Sequence, residues 1–137
     1  MKVIELTINT EPQAKGRPRT AYRNGQVRTY TPERTLIAQE TITALIKQYQ
    51  EQGFPAHIPV KMTCTFWRHK SVWLPRKERM PFRKPDLDNF LKLIMDSLNG
   101  ILVADDAQIT TIEMKKRWSP NGEGYITLRL EEDTDET

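Results

Sequence analysis

The stretch between Pro85 and Gly100, DLDNFLKLIMDSLN, constrains the fold more than any other part of the chain. A proline before it and a glycine after it punctuate a helix over residues 86–99, with Asp86 as a natural N-cap. At roughly 100° per residue, Leu87, Leu91, Ile94 and Leu98 share one face, and Asp88, Lys92, Asp96 and Asn99 share another. A helix with one apolar face must bury it, and the surrounding segments read as strands that supply the surface. Residues 2–9 alternate until Pro12 ends the run, residues 59–67 alternate again, and residues 101–104, 108–117 and 125–130 complete the set. A second helix is expected in YTPERTLIAQETITALIKQYQEQG, with Thr31 as N-cap, Pro32 at its first position, Gly53 as its stop, and a stripe that includes Leu36, Ile37, Ile42, Leu45 and Tyr49. The sequence therefore predicts an α+β fold, a mixed β-sheet with two main helices packed on one face. A chain of 137 residues fits one such domain, placed at 1–130, followed by an acidic disordered tail at 131–137.

The single cysteine excludes an intrachain disulfide and a cysteine-based zinc site. Cys64 alternates with Met62 and Phe66 against Lys61, Thr63 and Thr65, which puts it on the buried side of a strand as an inert packing residue. His57 and His69 have no partner at ligand spacing, so neither is expected to be catalytic. No apolar run approaches the roughly 20 residues that span a bilayer, and the expectation is a soluble, cytoplasmic protein with no membrane partner.

Charge is unevenly spread. Glu131, Glu132, Asp133, Asp135 and Glu136 crowd the last positions, so the rest of the chain is five charges more positive than the formal +3 of the whole. Lysines and arginines concentrate in residues 15–28 and 68–84, both rich in proline or glycine and both read as loops. Lys15, Arg17 and Arg19 in the first, and Arg76, Lys77, Arg79, Arg83 and Lys84 in the second, are candidate contacts to DNA phosphates. Trp73 lies in the second stretch; packing is its expected role, and stacking on an unpaired base is the alternative.

Two acidic pairs frame the helix. Asp86 and Asp88 stand at its start, and Asp105 and Asp106 follow shortly after its end. From Asp88 to Asn99 is about 17 Å of helix, and six extended residues from Gly100 to Asp106 span about 20 Å. A chain reversing at Gly100 would return the second pair to the level of the first. Such convergence of like charge is costly unless a cation compensates it. Oxygen-only ligands favour Mg²⁺, with Mn²⁺ as a substitute, over zinc. A cation of this kind beside basic loops points to phosphodiester hydrolysis, with Lys92 offsetting charge on phosphorus or orienting water. The alternatives for the same residues are modest: a helix cap at Asp86, an i, i+4 ion pair between Asp88 and Lys92 worth about 0.2–0.5 kcal/mol, and a turn at Asp105 and Asp106.

The segment KPDLDNFLKLIMDSLNGILVADDAQI resembles the signature of the RusA family of Holliday junction resolvases: Asp-x-Asp-Asn, a lysine four positions after the second aspartate, then an Asp-Asp pair followed by glutamine and an aliphatic residue. KGRPR, with YTP further on, resembles the phage-type members. The resemblance implies a homodimeric, magnesium-dependent endonuclease, bacterial or phage-encoded, that cuts four-way junction DNA by paired nicks in recombination and repair. It implies Asp86, Asp88 and Asp106 as catalytic, metal-binding carboxylates, Asp105 as an accompanying ligand and Lys92 as the active-site lysine, with Asn89 and Gln108 in support. The long loop 68–84 and the acidic tail depart from the smallest members. Two other readings stay open: a structure-selective nuclease acting on forks or flaps, and a non-catalytic DNA-architectural protein whose carboxylates only cap and pair.

Overall fold

The computed structural model describes residues 2–16, 19–49 and 52–134. Its elements are β1 (Val3–Ile8), β2 (Arg19–Arg23), β3 (Gln26–Tyr30), α1 (Glu33–Lys47), β4 (Val60–Arg68), α2 (Leu87–Leu98), a 3-10 turn (Asp106–Gln108), β5 (Ile109–Trp118) and β6 (Tyr125–Glu132). The main sheet has the order β1-β6-β4-β5, antiparallel except for the parallel pair β4 and β5. Parallel neighbours need a crossover, and residues 69–108 provide it with α2 in the middle. The expected α+β domain with a mixed sheet is what forms. Among the described residues no helix is long and apolar enough to cross a membrane.

Alternation dictates which side of the sheet is covered. Val60, Met62, Cys64 and Phe66 of β4 point inward, as do Ile126, Leu128 and Leu130 of β6 and Ile4 and Ile8 of β1. The register aligns them, with Cys64 opposite Leu128 and Leu130 opposite Ile4. Phe90, Leu93, Ile94 and Leu98 of α2 and Ile42 and Ile46 of α1 close the core over them. Phe90 stacks on Phe66 with ring centroids 5.1 Å apart, so the buried face of α2 is centred nearer Phe90 and Ile94 than the predicted stripe, and Leu87 and Leu91 are only partly covered. Burial pushes the Cys64 thiol up to about 12, which makes it as unreactive as expected.

Three expectations are corrected. Residues 19–30, read as loop, form an antiparallel ribbon of β2 and β3 turning at Asn24 and Gly25, whose φ values of 54° and 74° suit a two-residue hairpin turn. The predicted strand 101–104 is instead a coil: Gly100 adopts φ 78°, its N–H reaches the Val103 carbonyl at 2.8 Å, and Leu102 and Val103 enter the core beside Phe54. The acidic tail does not begin at residue 131. β6 carries Glu131 and Glu132 in register with Val3 and Val60, and the Asp133 carboxylate accepts hydrogen bonds from the Thr110 and Thr111 hydroxyls at 2.6 Å each. Residues 135–137 lie outside the described residues.

Candidate active site and nucleic-acid interface

The first acidic pair is mounted where α2 begins. Asp86 occupies the N-cap position with extended backbone, and its carbonyl accepts the Asn89 and Phe90 N–H groups at 3.1 and 3.4 Å. Its side chain makes no capping bond, so the cap alternative fails for the carboxylate itself. The Asp86 charge instead acts on Lys116, whose ammonium donates to the carbonyls of Arg83 and Pro85 at 2.7 and 2.9 Å. Burial and the Arg68 guanidinium hold Lys116 below the ordinary lysine range, and Asp86 partly offsets them. Asp88 stands two residues on, in the first turn of the helix, exposed, with the Lys92 ammonium 3.8 Å away. The positive end of the helix dipole favours both carboxylates here.

The second pair is mounted at the other end. Asp105 and Gln108 form a reciprocal cap: the Asp105 carboxylate accepts the Ala107 N–H at 3.0 Å, and the Gln108 side-chain oxygen accepts the Asp105 N–H at 2.9 Å. Gln108 also donates to the carbonyls of Pro55 and Ile58 at 2.7 and 3.0 Å, which pins the turn to the segment ahead of β4. The Asp106 N–H donates to the Asn99 side chain at 3.0 Å. Desolvation first, then the adjoining Asp105 carboxyl and the charge of Asp96, raise the Asp106 carboxyl above its ordinary value, against a lowering contribution from the Ala107 N–H.

These placements overturn the predicted convergence within one chain. Asp106 lies beside Asn99 and Asp96 at the C-terminal end of α2, whereas Asp86 and Asp88 lie at its start. The return path is too short because residues 100–103 coil into the core, so it is β5 that runs back and delivers Lys116 to the level of Pro85. Among the described residues no three carboxylate, histidine or cysteine side chains gather to hold a metal. Donor chemistry and placement therefore divide: every acidic donor suits a hard cation, and one chain presents them in two groups.

Cations surround the start of α2. Arg19 and Arg34 line a surface cavity of about 410 Å³ together with Pro85, the residue before Asp86. Arg19, Arg23 and Arg28 are exposed on the ribbon, and Arg76, Lys77, Arg79 and Lys84 are exposed on the loop that ends at Pro85. Two expected phosphate contacts are otherwise engaged. Lys15 pairs with Asp96 at 2.7 Å, and its N–H bonds the Asn89 carbonyl at 3.0 Å, so it clamps the ribbon's root to α2. Arg83 bonds the buried Glu78 carboxylate at 2.9 and 3.4 Å, which raises its pKa further. Arg17 lies outside the described residues. Sequence reasoning did not single out Arg23, Arg28, Arg34 or Lys116; the basic cluster flagged the first two, while Arg34 and Lys116 reach the site only through tertiary packing.

A profile of the family described as endodeoxyribonuclease RusA matches residues 9–129. The chain belongs to the RusA family. The match runs from the end of β1 into β6 and so takes in the ribbon, both acidic groups and the long basic loop. The chain is also 29% identical over 139 residues to a Bacillus subtilis (strain 168) protein described as uncharacterized protein YqaN, an alignment covering 94% of this chain and 97% of that one. Membership of the RusA family implies an endodeoxyribonuclease directed at Holliday junctions.

Proposed function

We propose that this RusA-family chain is a Mg²⁺-dependent endonuclease that resolves four-way junctions by paired symmetric nicks, as a homodimer, in recombination and repair of DNA in a bacterial cytoplasm. The observation that carries the reading is the start of α2: two carboxylates, one of them released from capping duty, stand beside Lys92 and between two exposed cationic elements. Asp86, Asp88, Asp105 and Asp106 are the residues that would hold the metal, and Mn²⁺ should substitute. When bound, the ion would activate water and neutralise charge on the scissile phosphate. Lys92 supplies a fixed cation beside that phosphate, and the arginines of the ribbon and the lysines and arginines of the loop hold the flanking backbone.

The separation of the acidic groups supports a dimer on chemical grounds. α2 is a rigid spacer between them, so one ion can draw on both only if a second copy brings its own Asp105 and Asp106 to the Asp86 and Asp88 of the first. A C₂ pair would make two such sites, as a reaction needing one nick in each of two strands requires. The test is cleavage of a fixed four-way junction with and without Mg²⁺, alongside forks and plain duplex. Wild type should cut the junction in two symmetric strands, and Asp106→Asn should bind it without cutting. Preferential cutting of forks would instead favour the flap-type nuclease, and binding with no metal-dependent cutting would leave only an architectural role.

A further inference from the structure

The long loop between β4 and α2 contains two successive turns of opposite character. In the first, the Leu74 N–H reaches the Ser71 carbonyl at 3.1 Å, and the Ser71 hydroxyl accepts the Trp73 N–H at 3.2 Å. That geometry lifts Val72 and Trp73 to the apex, where they are 89% and 91% exposed. In the second, the Glu78 N–H reaches the Pro75 carbonyl at 3.1 Å and lifts Arg76 and Lys77. An apolar pair therefore stands next to a cationic pair.

The base of this double turn is braced. The Glu78 carbonyl accepts from the Lys70 ammonium at 2.7 Å and from the Trp118 indole at 3.1 Å, while the Glu78 carboxylate holds Arg83. Lys116 ties the far side of the loop to β5 through the Arg83 and Pro85 carbonyls. Glu78 is the sole acidic residue among 68–84, against seven lysines and arginines, and it is buried and paired. The charged groups on the loop's exposed surface are thus all cationic, alongside the apolar apex and the exposed side chains of Met80 and Phe82, which suits a polyanion and disfavours a cationic partner.

The three tryptophans differ in a telling way. Trp67 stacks on Tyr125 at 5.6 Å and donates to the Thr127 hydroxyl, and Trp118 donates to Glu78. Among the described residues, no ring, cation or hydrogen-bond acceptor meets the Trp73 indole. The expectation that Trp73 packs is therefore corrected. An indole presented on a hydrogen-bonded turn beside cations is the arrangement that stacks on a nucleobase while its neighbours hold the backbone. Bases inside a duplex stack on each other and offer no free face; a base at an opened branch point does.

We propose that Trp73 is a specificity-determining residue that stacks on a base left unpaired at the branch point, with Arg76 and Lys77 on the adjacent phosphates, so that the loop discriminates opened DNA from intact duplex. This rests on the reading of the chain as a junction enzyme. The experiment uses the full chain without Mg²⁺ and three probes carrying 2-aminopurine: a four-way junction labelled at its centre, the matching duplex, and a single strand. Wild type should change the emission of the junction and the single strand. Trp73→Ala should abolish that change and weaken junction binding about tenfold, as expected for one lost base stack, with duplex affinity within about twofold. Trp73→Phe should keep most of both. Replacing Arg76 and Lys77 with alanine should weaken junction and duplex alike and flatten the salt dependence. If wild type prefers the junction and Trp73→Ala matches it in affinity and emission, the stacking role is wrong and the resolvase reading survives. If wild type shows no junction preference but Trp73→Ala still loses the single strand, the resolvase reading fails and the stacking role stands. A change in sedimentation mass on Trp73→Ala, with DNA binding unaltered, would make the apex a contact between copies and overturn the proposal.

Discussion

Mixing two inactive variants reports how the two acidic groups meet. Asp88 and Asn99 are separated by about 17 Å of helix, and Asp106 is tethered at the Asn99 end. Carboxylate oxygens on one Mg²⁺ lie within roughly 4 Å of each other, twice the Mg–O distance. No change of side-chain rotamer closes that gap, so under the proposed function a site that uses all four carboxylates would combine Asp86 and Asp88 of one copy with Asp105 and Asp106 of the other. Asp88→Asn and Asp106→Asn proteins should each bind junctions and fail to cut them. After subunit exchange at equal concentration, about half of the dimers are mixed. In a mixed dimer one site carries both substitutions and the other carries neither. Nicking should therefore recover to about a quarter of the wild-type rate, and the product should be a singly nicked junction in place of resolved duplexes. Denaturing and native gels of an end-labelled fixed junction read both quantities. If each copy built its site from its own four carboxylates, every site in a mixed dimer would carry a lesion. A mixture that stays inactive although exchange is verified by mass would refute the reasoning.

Phe90→Ala removes the α2 ring that stacks on Phe66 in the core and should destabilise the fold by about 3–5 kcal/mol in urea titration; a loss under 1 kcal/mol would mean that α2 is held by something else. Asp133 has a carboxyl held below its ordinary value by the Thr110 and Thr111 hydroxyls. Its contribution is thus present above the unfolded carboxylate range and disappears as pH falls through the depressed folded value, so wild type and Asp133→Asn should differ in melting temperature at neutral pH and converge in strong acid. Replacing Arg23 and Arg28 with alanine, both exposed on the ribbon, should leave the melting temperature unchanged and reduce the salt slope of duplex binding by about two; an unchanged slope would remove the ribbon from the DNA surface.

The parts of the fold legible in the sequence are those whose burial is written as period. β4 alternates cleanly through Val60, Met62, Cys64 and Phe66, and α2 is bracketed by Pro85 and Gly100, so both elements fall within about a residue of their predicted bounds. The ribbon was harder because all of its residues are exposed and no apolar alternation marks it; only Asn24-Gly25 signals the turn. The site was half legible. The residue types at Asp86, Asp88 and Lys92 read directly as helix positions, but the path after Gly100 depended on Leu102 and Val103 preferring the core to an extended return. That preference is a tertiary effect, and no local pattern in GILVADD expresses it. The Lys15 pair with Asp96 spans 81 residues and was invisible for the same reason.

Cations outnumber carboxylates where α2 begins, and carboxylates prevail toward its finish. Arg19, Arg34, Lys84 and Lys116 lie beside Asp86 and Asp88 at its start, whereas Asp105 and Asp106 lie toward its finish with Asp96, which Lys15 pairs. On the uncovered side of the sheet, by contrast, Lys61 faces Glu113 and Arg129 faces Glu5 and Glu131. The chain thus carries its excess of positive charge toward one end of α2, with one flank of paired charges. A polyanion approaching from a distance experiences a torque before any contact forms, and it arrives with the cationic pole already turned toward it. Added salt shortens the range over which that torque acts and so slows capture.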